Sequence, residues 1–263
     1  MSIKKLIISI LSLVLVSCGG KDPAPNKACQ ANSVVNFDKA FTRFDFQEID
    51  SKLVLNTIKV YDGTDSAYVY TYHFANGQLS TIAYAGVGSK KLGESKLYNA
   101  TYDGTNLAKL TVANKEEIRL VYNNSKIAQS QSFLANNVGT MFQVGHEAFT
   151  YDGNGNLTQS QIYVDLVSLF TIAFGSDPTS YSPILFTSVV IEPSTYPNPL
   201  KDHVFIDNLA LSLMNKMPQK ITYKDLTGNP LFTDSYSFTT DSNGQVSRAT
   251  AGTKYVEATY VCK

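Results

Sequence analysis

The sequence predicts a mostly β protein: a large curved antiparallel meander sheet of consecutive hairpins, half-open or closed into a barrel. Three observations carry this expectation. Tyr (16) and Phe (14) are plentiful among the 263 residues, Trp is absent, and charged residues make up only 17%. The aromatic, Thr and Val runs are short and alternate with polar residues, as strands with one buried face do. Asn-Gly, Asp-Gly and Asn-Asn pairs separate those runs, and such pairs take positive φ at low cost and reverse the chain.

At the N-terminus, Lys4 and Lys5 precede an apolar segment, Leu6–Val16, that is too short to span a bilayer. This is the layout of a secretory signal. The Leu15-Val16-Ser17-Cys18 that closes it resembles the lipobox of bacterial lipoproteins. That resemblance implies a signal peptide over 1–17 and a lipidated Cys18 as the first mature residue. Residues 18–35 are expected to be the lipidated cysteine and a flexible tether, because Gly19–Asn26 contains nothing apolar enough to pack. Residues 36–263 are expected to form one β-rich domain.

Removing Lys4 and Lys5 leaves 20 basic against 22 acidic residues, a net charge near −2. Such a balance gives no electrostatic footprint for nucleic acid. With Cys18 assigned to lipid, Cys29 and Cys262 remain, one near each end of the mature chain. An exported protein meets an oxidising compartment, so this pair is expected as a disulfide, the alternative being two buried thiols.

Five segments share the form aromatic strand, Asn/Asp/Gly turn, second apolar alternation: Tyr70–Tyr84, Tyr98–Val112, Ile118–Phe133, Glu147–Val164 and Tyr236–Thr250. The first four follow one another closely, as in a sheet grown by repetition. Between the fourth and fifth the pattern breaks. Val164–Phe174 and Ile184–Ile191 are unusually apolar, Ser194–Pro199 reads as a loop by its prolines, and Leu209, Leu213 and Met217 are spaced for one face of a helix. Residues 166–217 are therefore expected to be a partly helical apolar insertion packed over one face or the mouth of the sheet.

With these repeats in view, the chain resembles lipoproteins of Bacteroidota that carry degenerate YD-type repeats. Tyr151-Asp152-Gly153-Asn154-Gly155-Asn156-Leu157 carries the resemblance, and Tyr102-Asp103 repeats its opening pair. Asn198-Pro199-Leu200, the segment Lys216–Tyr223 and Asn243-Gly244 resemble the end of a domain of unknown function described with a porin-like fold. The resemblance implies an outer-membrane lipoprotein with a large antiparallel sheet, and no functional residues come with it.

No catalytic constellation emerges, and no cofactor is implied. His73, His146 and His203 are dispersed, without metal-ligand spacing, so no metal site is expected. Asp152–Asn156 mimics the first half of a calcium loop. The sixth and twelfth positions of that loop are Leu157 and Tyr163, where glycine and glutamate are required, so a hairpin turn is expected. Asp65-Ser66-Ala67 fits the pattern of O-glycosylation sites in exported Bacteroidota proteins, making Ser66 a candidate. Leu166, Leu169, Phe170, Ile172, Phe174, Leu185 and Phe186 are candidates to line a cavity, dock a partner or cover the sheet.

The expected function is that of a non-enzymatic, lipid-anchored outer-membrane β protein, at the periplasmic face or cell surface, acting as a binding or scaffolding module. Its candidate partners, besides the membrane, are a hydrophobic ligand, a glycan or an envelope protein. The first rival is a hydrophobic-ligand carrier with a pocket among Phe170, Phe174 and Phe186. A hydrolase or glycan-processing enzyme is the second.

Overall fold

The computed structural model describes residues 29–37, 41–50, 52–62, 65–87, 94–201, 203–204 and 209–262. Cys18, the signal segment and most of the expected tether lie outside them. The strands are β1 (Cys29–Phe37), β2 (Phe41–Ile49), β3 (Lys52–Asp62), β4 (Asp65–Ala75), β5 (Gln78–Gly86) and β6 (Lys96–Asp103). They continue as β7 (Asn106–Val112), β8 (Glu116–Asn123), β9 (Lys126–Ala135), β10 (Met141–Tyr151), β11 (Leu157–Val164) and β12 (Ile184–Pro197). The last are β13 (Lys216–Lys224), β14 (Pro230–Ser235), β15 (Ser237–Thr240), β16 (Val246–Ala251) and β17 (Lys254–Cys262). The helices α1 (Leu166–Ala173) and α2 (Leu209–Leu213) are short.

All 17 strands belong to one antiparallel sheet that follows chain order. Ladders join β1 to β2 and each strand to its successor as far as β14. They resume from β15 through β16 to β17, and β17 returns to β1. Tyr236 alone separates β14 from β15, and its N–H donates to Gln219 O of β13 at 3.2 Å. The sheet is thus a nearly closed barrel, the shape that removes exposed strand edges. The expected mostly β, meander-built barrel is the observed fold.

The hairpins turn as their sequences dictate. Asn76-Gly77 reverses β4 into β5 with both residues at positive φ (52° and 74°). Four longer turns share one design: Asn136–Thr140, Asp152–Asn156, Asp225–Asn229 and Asp241–Gln245. In each, the side-chain oxygen of the first residue accepts from the third and fifth backbone N–H groups, at 2.8–3.1 Å. The fourth residue is always glycine, at φ between 75° and 86°. The calcium-like Asp152 motif is therefore one of four identical Asx-type turns, as its missing ligands required.

One contiguous core fills the barrel, with Val34, Phe44, Leu55, Tyr72, Ile82, Leu110, Leu157, Met217, Ile221 and Val256 among its buried members. A repeated hydrogen bond links neighbouring hairpins inside it. Tyr102 donates to Leu79 O (3.1 Å), Tyr122 to Leu107 O (3.0 Å), Tyr151 to Ile127 O (2.8 Å) and Tyr260 to Val246 O (3.0 Å). Each acceptor opens the inward face of a strand just after a turn, beside a register shift that disturbs its own ladder. The recurrent tyrosine of the repeat satisfies that carbonyl.

Three expectations need correction. The tether was expected to reach residue 35, but Cys29–Phe37 is β1, paired on both sides. The span 166–217 is not a single covering insertion, because β12 runs from Ile184 through the proline-rich Ser194–Pro197 as a full member of the sheet. Its continuous apolar run reflects burial against strands on either side, which periodicity alone cannot separate from a cover segment. The helix expected within Val204–Met217, with Leu209, Leu213 and Met217 on one face, is observed over Leu209–Leu213, and Met217 belongs to β13.

Candidate functional site

The two ends of the barrel differ in chemistry. One carries the Cys29–Cys262 disulfide, formed as expected, together with the Asn76-Gly77, Asp152–Asn156 and Asp241–Gln245 turns. The segment between β12 and β13 plugs this end, with Leu200, Leu209 and Met214 buried in the core. Asn198 fastens it by donating to Met214 O at 2.9 Å and accepting from Leu200 N at 3.0 Å.

The opposite end, the far rim, collects exposed apolar side chains. Among the described residues, Val87, Val138, Leu166, Val167, Phe170, Phe174, Ile184 and Leu226 are exposed there, while Leu97, Val121, Leu231, Phe232 and Val261 are exposed along strands. Val138 is 85% exposed at the tip of the β9–β10 turn, and Phe174 is 83% exposed where α1 ends. Val167 and Phe170 of α1 are 67% and 52% exposed, and Leu226 projects from the β13–β14 turn.

Asp165 builds this rim. Fully buried, it accepts from Ser168 N (3.0 Å), Ser168 Oγ (2.7 Å) and Ser182 N (2.8 Å), capping α1 and pinning the return segment. Its own N–H donates to Val144 O of β10 at 2.9 Å. Burial opposes the charge, but the hydrogen bonds from Ser168, Ser182 and Val167 outweigh it and hold the carboxyl below its ordinary value. Asn136 donates to Asp177 at 2.6 Å and ties the Val138 turn to the segment after α1.

The barrel wall is polar outside. Asp45 pairs with Arg43 (2.6 Å) and Lys59 (3.4 Å) across β2 and β3. Glu117 pairs with Lys109 (3.2 Å) and Arg119, whose guanidinium lies 4.0 Å over the Phe133 ring. Glu192 meets Lys220, and Arg248 meets Glu257. A membrane-spanning barrel needs the reverse polarity, an apolar outer band around a polar lumen. No helix among the described residues is long and apolar enough to cross a membrane.

Glu116, Asp234 and Glu147 lie on inward faces, the first two paired with Lys96 (2.7 Å) and Lys254 (3.2 Å). Glu147 alternates with Phe149 and Tyr151 on β10 and lies opposite Ser130 and Ile162. Ser160 donates to it. Protein surrounds the carboxyl, and the residue as a whole is half-buried. Burial pushes its pKa up to about 7 against the opposing Ser160 hydrogen bond. Burial, and then the nearby Glu147, push the Tyr151 phenol up to about 12. Glu147 was not singled out from the sequence, although alternation along Glu147-Ala148-Phe149-Thr150-Tyr151 already puts it on the aromatic face.

The other anticipated residues scatter. Leu166 is partly exposed at the start of α1, while Leu169 and Ile172 are half-buried. Leu185 and Phe186, both half-buried, belong to β12. Phe170 and Phe174 thus point to solvent rather than joining Phe186 around an enclosed pocket. Ser66 lies in β4, and its side chain is outside the described set. His73 is exposed on β4, His146 stacks on Tyr163 (4.5 Å, 9°) and holds Tyr181 OH at 2.7 Å, and His203 packs on Phe46 at 5.0 Å. Among the described residues, no three His, Cys, Asp or Glu side chains converge as metal ligands would.

Fold and surface together define a barrel with an apolar core, a charged outer wall and one apolar rim. Its solved structural neighbours include a porin-like protein from Bacteroides vulgatus, 13% identical, with a TM-score of 0.49 over 89% of this chain and 99% of that one. A porin-like protein from Bacteroides uniformis aligns at 12% identity and a TM-score of 0.38, over 89% of this chain and 98% of that one. TcdB2-TccC3 without its hypervariable C-terminal region aligns at 12% identity and a TM-score of 0.28, over 84% of this chain and 10% of that one. No family model matches the chain, and neither does any curated protein.

Proposed function

We propose that this protein is a lipid-anchored, non-enzymatic binding module of the outer membrane, with Cys18 as its anchor and the far rim as its contact surface. The observation that carries the reading is the distribution of polarity. A charged wall around an apolar core suits a water-soluble body. Gathering exposed hydrophobics at one end suits a docking surface. The lipobox supplies the mount.

The test is metabolic labelling with a fatty acid, combined with fractionation of the wild type and Cys18→Ala. The wild type should incorporate label and sediment with outer membranes, and the variant should do neither. A Cys18→Ala chain that resists alkaline extraction from membranes would show that the barrel itself is inserted, and the reading would fall.

A further inference from the structure

The inference here rests on the anchored reading and names what the rim touches. We propose that the far rim seats on a phospholipid bilayer, so that the protein holds the membrane at two points, through the Cys18 lipid and through its apolar tips. The arrangement of the tips separates a bilayer from a protein partner. Val138 and Leu226 stand on separate turns, flanked by Asn137, Gly139, Asp225 and Thr227, while Leu166, Phe170 and Phe174 recur along α1 at helical spacing beside the Val138 turn. A protein interface selects a contiguous patch packed to interior density. A fluid bilayer accepts a short apolar helix face with separate tips beside it, each inserting among the head groups.

Chain length allows both contacts on one membrane. Cys29 lies at the end opposite the rim, and the 11 steps from Cys18 reach at most ~38 Å when extended. The 11-residue β3, rising ~3.3 Å per residue and tilted as barrel strands are, gives the wall a height of ~27 Å. The tether is longer than the wall is high, so the lipid and the rim can share one bilayer.

Charge contributes little to the contact. Lys115 at the rim is paired with Glu94 (2.6 Å), and the mature chain is slightly acidic. Apolar insertion therefore drives the association, which should be insensitive to salt and to anionic lipid.

The experiment uses the full mature chain carrying Cys18→Ser, floated with phosphatidylcholine–phosphatidylethanolamine vesicles. It should float. Val138→Ser, Phe170→Ser and Phe174→Ser combined should weaken binding by about ten-fold or more while leaving the melting temperature unchanged. Val121→Ser with Val261→Ser, exposed positions away from the rim, should float like the parent. A parent that stays at the bottom of the gradient, or a triple variant that floats equally well, overturns the proposal. So does a rim-dependent dimer that does not float, which would make a second copy of the chain the occupant. Fatty-acid labelling at Cys18 keeps the two readings apart: a labelled protein whose unlipidated form ignores vesicles retains the anchor and loses the bilayer-seated rim.

Discussion

Replacing Glu147 with Gln should stabilise the protein at alkaline pH and leave it nearly unchanged in acid. Glu147 faces the barrel interior beside Ile162, Phe149 and Ser130, with Ser160 donating to it. Its carboxyl titrates near pH 7 in the folded protein, against an ordinary value of 4.5. Below 4.5 both folded and unfolded chains hold the proton, and the site is neutral to stability. Between 4.5 and about 7 the unfolded chain gives up a proton that the folded chain retains, so stability falls as pH rises. Over that interval the loss approaches about 3 kcal/mol, at 1.36 kcal/mol per unit. Gln keeps the shape and an acceptor for Ser160 without the charge. Differential scanning calorimetry from pH 4 to 9 should show the wild-type Tm falling toward alkaline pH relative to Glu147→Gln. At pH 8 the gap should be roughly 6–12 °C for a domain of this size. Parallel Tm curves for the two proteins would refute the reasoning, since they would mean that the carboxyl is solvated or paired with a cation in the folded state.

Other perturbations test other parts of the structure. Reducing Cys29–Cys262, which closes a sequence separation of 233, should lower stability by about 5 kcal/mol on the chain-entropy relation, read as the shift in urea midpoint with and without reductant. Tyr151→Phe leaves Ile127 O without its inter-hairpin donor and should cost about 1 kcal/mol in equilibrium urea unfolding. Asp165→Ala removes the acceptor of three hydrogen bonds and should cost about 1–3 kcal/mol, with amide exchange quickening over α1 and Ser182 before the barrel strands. Asp152 is held below its ordinary value by Asn156 and its loop amides, and Asp225 by Thr227 and Asn229, so their support of the turns is present at neutral pH. That support should vanish as pH falls through the lowered values, and the amides of Asn156 and Asn229 should lose hydrogen-exchange protection there.

Much of the fold is local and was therefore legible. Asn76-Gly77 and the Asp-x-x-Gly turns fix where the chain reverses, and alternation fixes which side chains share a face, because both are properties of a few adjacent residues. The pairing of Cys29 with Cys262 was expected from the cysteine count on the reading that Cys18 carries lipid. The rim was half legible: Leu166, Phe170 and Phe174 stood out as apolar, but their exposure did not. Exposure depends on how Asp165, Val144 and Asn136 hold α1 at the barrel's edge, and those contacts join residues far apart in sequence.

The sequence by itself determined the hairpins, their turns and the alternation of inward and outward residues. The tertiary structure alone decided that β17 returns to β1, that Ile184–Pro197 is a wall strand rather than a cover, and that the tyrosines cap carbonyls of neighbouring hairpins. It also decided that Glu147 is enclosed. The physical reason is common to all four. Closure, strand neighbourhood, carbonyl capping and desolvation are set by pairs of segments meeting in space, and a single chain of residues records each partner without recording the meeting.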